Sequence, residues 1–250
     1  MPYTDEQNAV MGRWDLVVQL PGGEQPSWLE IRHSGHQTLV GQFVGWHGSA
    51  RPIARVDVDA GGLRFAIPPQ FEQGTGDLEV EGQLRDDKLS GSMVTPEGTR
   101  VTWSGSRAPS LRRSAPPKWG QPIRLFNGVD LAGWHVVQGN NEWRVEDGVL
   151  RNVKVGGNLV TDQTFEDFQL HLEFRYAKRG NSGVYLRGRY EVQVLDGPTE
   201  EPDSLLQGAI YGFLTPSEIV TNGPDEWNTY DITLVGRLVT IVVNGKTVIS

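Results

Sequence analysis

Residues 168–176 read Phe-Gln-Leu-His-Leu-Glu-Phe-Arg-Tyr, and the side chains alternate. Leu170, Leu172, Phe174 and Tyr176 fall on one side, and Gln169, His171, Glu173 and Arg175 on the other. A period of two describes a strand with one dry face and one polar face. On an antiparallel sheet such a polar row is commonly the solvated outer face. Set into a groove, the same row would offer hydrogen bonds to a ligand.

The surroundings repeat this pattern. Downstream, Val184–Arg187, Tyr190–Leu195, Tyr230–Val235 and Val239–Val243 read as strands. Asn244-Gly245 marks a hairpin whose second arm is Lys246–Ile249. Upstream, Glu142–Val145 and Val149–Val153 flank Asp147-Gly148, a strong two-residue hairpin signal because both turn positions need positive φ. Ser106–Pro122 holds four prolines and no hydrophobic period, which predicts a semi-extended, solvated linker. Before it, eight strand-like runs follow one another: Gly12–Leu20, Ser27–Ile31, Thr38–Trp46, Ile53–Val58, Leu63–Ile67, Leu78–Leu84, Leu89–Val94 and Arg100–Ser104. Short turns such as Gly61-Gly62 and Asp86-Asp87 join them, which predicts a small up-and-down β-barrel over residues 1–105, loosely lipocalin-like. No long helix and no internal repeat is evident.

Net charge is −8, the wrong sign for a phosphate-backbone partner. Residues 1–105 and 123–250 each carry net −6, while the segment between them is basic and lacks acids. Two acidic bodies joined by a basic strap fit a two-domain chain. There is no Cys, hence no disulfide or thiol chemistry. No apolar run is long enough to span a membrane as a helix. The first residues lack the basic and apolar regions of a secretory signal. Eight Trp and many Gly suit a turn-rich protein that stacks on sugar rings, although large aromatics usually serve packing.

Four segments taken together are more specific: LFNGVDLAGW (125–134), WRVEDGVL (143–150), FQLHLEFRYAKRGNSGVYLRGRYEVQVLD (168–196) and EWNTYDITLVGRLVTIVVNG (226–245). In this order and spacing they resemble the 3-keto-disaccharide hydrolase family, over about half of the chain. The resemblance implies a concanavalin- or laminarinase-like jelly-roll β-sandwich for residues 123–250, activity on sugars oxidised at C3, and a family often periplasmic or extracellular. The family pattern continues for several strands beyond the Asn-Gly hairpin, so the sandwich is expected here without its last strands. Jelly rolls of this class often hold a structural Ca²⁺. His171, Glu173 and Glu191 are the mixed nitrogen and oxygen set to consider for a metal, though no tight ligand spacing announces one.

Tyr190–Asp196 (YEVQVLD) is the leading catalytic segment. On a flat strand Glu191 and Gln193 share a face, whereas Asp196 points away and lies about 16 Å from Glu191. Glycoside hydrolysis by a carboxylate pair needs about 5 Å or about 6.5–9.5 Å. A β-bulge near Val194–Leu195 would bring Asp196 round. The laminarinase Glu-x-Asp-x-x-Glu pattern is not reproduced, since Gln193 replaces the middle acid and Asp196 the last. A 3-keto substrate removes the difficulty, because its acidic C2 proton allows elimination at C1. That route assigns Glu191 as base or acid. Arg187, or Arg175 or His171, would stabilise the enolate oxygen. Asp196 or Glu173 is the second proton-transfer group. Asn181 and Ser182, in a Gly-flanked turn, are expected to bond sugar hydroxyls or to cap the turn. Tyr190, Tyr211 and Trp227 are expected as stacking walls. The alternative is a non-catalytic carbohydrate-binding sandwich. In either case the expected partner is carbohydrate.

Overall fold

The computed structural model describes residues 3–45, 48, 50–60, 62–70 and 74–250. Trp46 and Gly61, which belong to an expected strand and an expected turn, lie outside these. Among the described residues the chain is all-β apart from a six-residue helix, α1 (Asp5–Val10). Thr4 and Gln7 close that helix start in a reciprocal capping box.

Eight strands follow: β1 (Gly12–Leu20), β2 (Gly23–Ser34), β3 (Thr38–Val44), β4 (Ala50–Asp59), β5 (Gly62–Ile67), β6 (Leu78–Arg85), β7 (Lys88–Val94) and β8 (Arg100–Arg107). They form a closed antiparallel barrel in sequence order, sealed where β1 pairs with β8. Alternation explains the closure. Trp14, Leu16 and Val18 of β1 are buried, as are Leu63, Phe65 and Ile67 of β5, and all belong to one core. A fully buried side chain of this size is worth about 1.5–3 kcal/mol. Helix α1, missed by the periodicity because it is one and a half turns long, closes one end. Val10 is buried in the core, the Trp14 indole donates to the Val10 carbonyl at 2.9 Å, and Tyr3 bonds the Gly35 carbonyl in the β2–β3 turn at 2.8 Å. The opposite end carries the β3–β4 and β7–β8 connections.

β8 runs to Arg107, so regular structure ends later than Ser104. The basic segment beyond it has no regular structure and is mostly exposed, but it is anchored at Leu111 and Arg113. Arg113 binds Asp167 at 2.6 Å and Glu166 at 2.7 Å, and the Leu111 carbonyl abuts Gly236 so closely that a Cβ there would overlap it. Asp167 also accepts the Gly236 N–H at 2.7 Å. These bonds, the Arg113 guanidinium first, hold the Asp167 carboxyl down to about 2. A depressed carboxylate stabilises the fold above its unfolded value of about 3.9 and loses that contribution as pH falls through its folded value. Asp167→Asn therefore lowers the unfolding midpoint at neutral pH, and the gap from wild type closes as the pH is taken below 4. A gap independent of pH in urea titrations would contradict this.

Beyond the anchored segment come two short pairs, β9 (Trp134–Val137) with β12 (Asn158–Thr161), and β10 (Trp143–Glu146) with β11 (Val149–Asn152). β13 (Phe168–Phe174), β16 (Asn228–Val235), β17 (Leu238–Val243) and β18 (Lys246–Ile249) form a four-stranded sheet. β14 (Asn181–Leu186) and β15 (Tyr190–Leu195) form a hairpin. The Asp147-Gly148 and Asn244-Gly245 turns have both residues at positive φ, as a two-residue hairpin of matching twist requires. The sheet and the hairpin share one core. Tyr230, Ile232, Ile241 and Val243 face Leu186, Val192 and Val194 across it.

Candidate functional site

That shared core sorts the expected site residues. On β14 and β15 the cross-strand pairs Tyr185–Glu191, Gly183–Gln193 and Asn181–Leu195 lie on the face turned away from the core, because Val192 and Val194 occupy the inner one. The Tyr185 hydroxyl hydrogen-bonds the Glu191 carboxylate. Gly183 leaves room for that carboxylate, since a Cβ at this position would collide with it.

The segment 203–214 folds along the outer edge of β15. Tyr211 donates its N–H to the Glu191 carbonyl at 2.9 Å, and Gln193 donates its N–H to the Ala209 carbonyl at 3.0 Å. Tyr211 is thereby brought within electrostatic reach of Glu191. Burial raises the Glu191 carboxyl above its ordinary range, opposed in part by the Tyr185 hydrogen bond. Burial likewise raises the phenols of Tyr185 and Tyr211, with the negative charge of Glu191 adding to it. Both phenols therefore stay protonated donors at neutral pH. Gln193 is almost fully buried, and its amide donates to the Leu205 carbonyl at 3.2 Å.

The remaining expected residues stand elsewhere. His171, Glu173 and Arg175 are exposed on the far side of the four-stranded sheet, separated from Glu191 by the core. His171 pairs with Asp231 at 2.6 Å, and Arg175 lies 5.2 Å over the Trp227 ring. His171, Glu173 and Glu191 therefore do not converge as metal ligands, and among the described residues no group of three His, Cys, Asp or Glu side chains is gathered for an ion. The solvated outer face, the commoner fate of this alternation, is what the row became.

Arg187 sits in the β14–β15 turn at φ 54°, which takes its side chain off the strand face. Its guanidinium bonds the carbonyls of Glu166 and Gly236 and the Asp167 carboxylate. The bulge that would bring Asp196 round is absent from this hairpin, for β14 and β15 stay in register from Asn181–Leu195 to Leu186–Tyr190. Asp196 instead caps the preceding turn, accepting the Arg179 N–H at 2.6 Å. Asn181 and Ser182 are strand residues rather than turn residues, because the turn closes earlier, where the Gly180 N–H meets the Ala177 carbonyl at 2.8 Å. Tyr190 packs edge-on against Phe213, with ring centroids 5.4 Å apart. Tyr185 went unrecognised in the sequence, although its signal was present two residues after Gly183, on the same face as Glu191 and directly across from it.

A family model described as a 3-keto-alpha-glucoside-1,2-lyase-like domain matches residues 121–250, just over half of the chain. A 3-keto-disaccharide hydrolase of Bacteroides thetaiotaomicron is 28% identical over 75 residues, which are 25% of this chain and 26% of that protein. The chain thus spans about a quarter of the length of this curated relative. Two crystal structures from Parabacteroides distasonis, each described as a "putative glycosyl hydrolase", are also similar. The first is 36% identical, covering 51% of this chain and 64% of that one, with a TM-score of 0.46. The second is 27% identical, covering 50% and 68%, with a TM-score of 0.44.

Proposed function

We propose, from the premise that this chain belongs to the 3-keto-alpha-glucoside-1,2-lyase-like domain family through residues 121–250, that it cleaves glycosides whose C3 is a ketone. Cleavage proceeds by elimination across C2 and C1 and then addition of water. The domain reading goes with it: a barrel over 1–105, a connecting segment over 106–122, and a jelly-roll sandwich over 123–250 that binds the sugar.

The observation that carries the chemistry is the Glu191 carboxylate, withdrawn from water and held by the Tyr185 hydroxyl beside Tyr211. A single raised carboxylate with neutral phenols around it suits proton abstraction next to a ketone better than it suits a two-carboxylate displacement. Glu191 takes the C2 proton as charge moves onto the C3 oxygen. The Tyr211 phenol donates a hydrogen bond to that oxygen and stabilises the enolate. The C1–O bond then breaks, a C1=C2 double bond forms, and the departing oxygen receives the proton from Glu191. Water adds across the double bond, placing hydroxyl on C1 and hydrogen on C2.

This route leaves an isotopic trace. With a 3-keto-glucoside in D₂O, the released 3-keto sugar carries deuterium at C2, beyond the exchange of the same sugar incubated without protein. Ordinary glucosides are not cleaved, because their C2 proton is not acidic. Product with protium at C2 would mean direct displacement at C1 and would overturn the elimination. Mass spectrometry of the product reads the difference.

A further inference from the structure

The barrel lies outside the matched residues 121–250, yet it touches the site. Gly48, at φ 85° in the β3–β4 connection, lies so close to the Tyr185 ring that a Cβ would overlap it. The Ala50 carbonyl approaches Gly212, where a Cβ would lie 2.6 Å from it. Gln42 of β3 donates to the Gly212 carbonyl at 3.1 Å. Trp28, Val44 and Ala50 form an apolar patch against Phe213, with the Trp28 and Phe213 rings 5.8 Å apart. These contacts bring Arg51, next to Ala50, and Tyr211, next to Gly212, within electrostatic reach of one another. Arg51 is 4% exposed.

We propose that Arg51 is a positioning residue for Tyr211, which makes the barrel a working wall of the site rather than an appended unit. The inference rests on the reading of Tyr211 as the donor to the C3 oxygen. A guanidinium keeps its charge even when buried, so Arg51 brings a fixed positive charge to the phenol from the barrel side. The other groups facing Tyr211 are Glu191, Asp203 and the Tyr185 phenol. Glu97, on the β7–β8 turn, faces Arg51. Glu191 and Asp203 hold the Tyr211 proton more tightly, and Arg51 alone among these charges loosens it. A donor is strengthened when its proton is loosened, so Arg51 tunes Tyr211 toward the charge that forms on the substrate oxygen.

The test uses the full chain with Arg51→Met and Arg51→Lys. Arg51→Met lowers kcat on a 3-keto-glucoside by about tenfold with KM within about twofold, and Arg51→Lys restores most of the loss. Independently of substrate, the Tyr211 ring resonance in ¹³C-tyrosine-labelled protein, assigned with Tyr211→Phe, titrates at higher pH in Arg51→Met than in wild type. Arg51→Lys keeps it near wild type. An unmoved Tyr211 titration in folded Arg51→Met overturns the proposal, and so does an undiminished kcat. If Arg51→Met does not fold, Arg51→Gln, neutral and polar, takes its place: its Tyr211 titration moves to higher pH if the charge of Arg51 is what matters, and an unmoved titration overturns the proposal. Should wild type cleave no 3-keto-glucoside, the functional reading falls, while the Tyr211 titration still decides the role of Arg51.

Discussion

Glu191→Gln lowers kcat/KM on 3-keto-glucosides by about 10²- to 10⁴-fold, with binding little changed. The amide keeps the shape of the side chain and still hydrogen-bonds Tyr185, but it has no basic oxygen to take the C2 proton. The pH dependence follows from the same burial. Desolvation raises the Glu191 carboxyl, and a base works only once deprotonated. Activity therefore rises with pH through an inflection above the ordinary Glu value of about 4.3, and Glu191→Gln abolishes that limb. Turnover close to wild type, or an acid limb unchanged in the variant, would remove Glu191 from the chemistry. Retained binding of 3-keto-glucosides with no turnover in the wild type would favour the carbohydrate-binding alternative.

Tyr230→Ala has the second large effect, a loss of about 3–5 kcal/mol of stability. Tyr230 is fully buried beneath the site, with its ring centroid 4.4 Å from that of Phe174. Its hydroxyl donates to the Gln193 carbonyl at 2.5 Å, which ties the four-stranded sheet to the strand that carries Glu191. Truncation opens a cavity and frees the underside of β15, so activity falls along with the urea midpoint. Tyr230→Phe separates the two contributions. It keeps the packing and forfeits one hydrogen bond, a cost of about 1 kcal/mol. Equal losses for both substitutions would assign the stabilisation to the hydrogen bond rather than to the packing. A loss under about 1 kcal/mol for Tyr230→Ala would show that this core does not hold β15 in place.

Much of the architecture was legible locally. The strands of the barrel and of the Phe168–Ile249 region followed from alternation, and the Asp147-Gly148 and Asn244-Gly245 turns from the demand for positive φ. The pairs β9 and β12 escaped because four-residue strands, half-buried and joined across twenty residues, carry too few side chains to show a period. That Glu191 and Gln193 share one face of β15 followed from the two-residue period. Arg187 and Asp196 were misplaced for a backbone reason. A left-handed turn residue and an unbroken hairpin register decide where side chains point, and residue type does not report either.

By itself, then, the amino-acid order determined most of the strands, which face of each is apolar, and that Glu191 and Gln193 share a side. Those are short-range properties, set by a two-residue period and by turn chemistry. Only the tertiary structure decided which polar face is open to water and which is enclosed. The row of His171 and Glu173 is exposed, whereas Glu191 is flanked by the 203–214 segment along the edge of β15 with the barrel rim alongside. Both faces look alike along the chain, because enclosure depends on what a residue distant in sequence brings to it, as Gly48, Ala50 and Arg51 bring the barrel to Tyr185 and Tyr211.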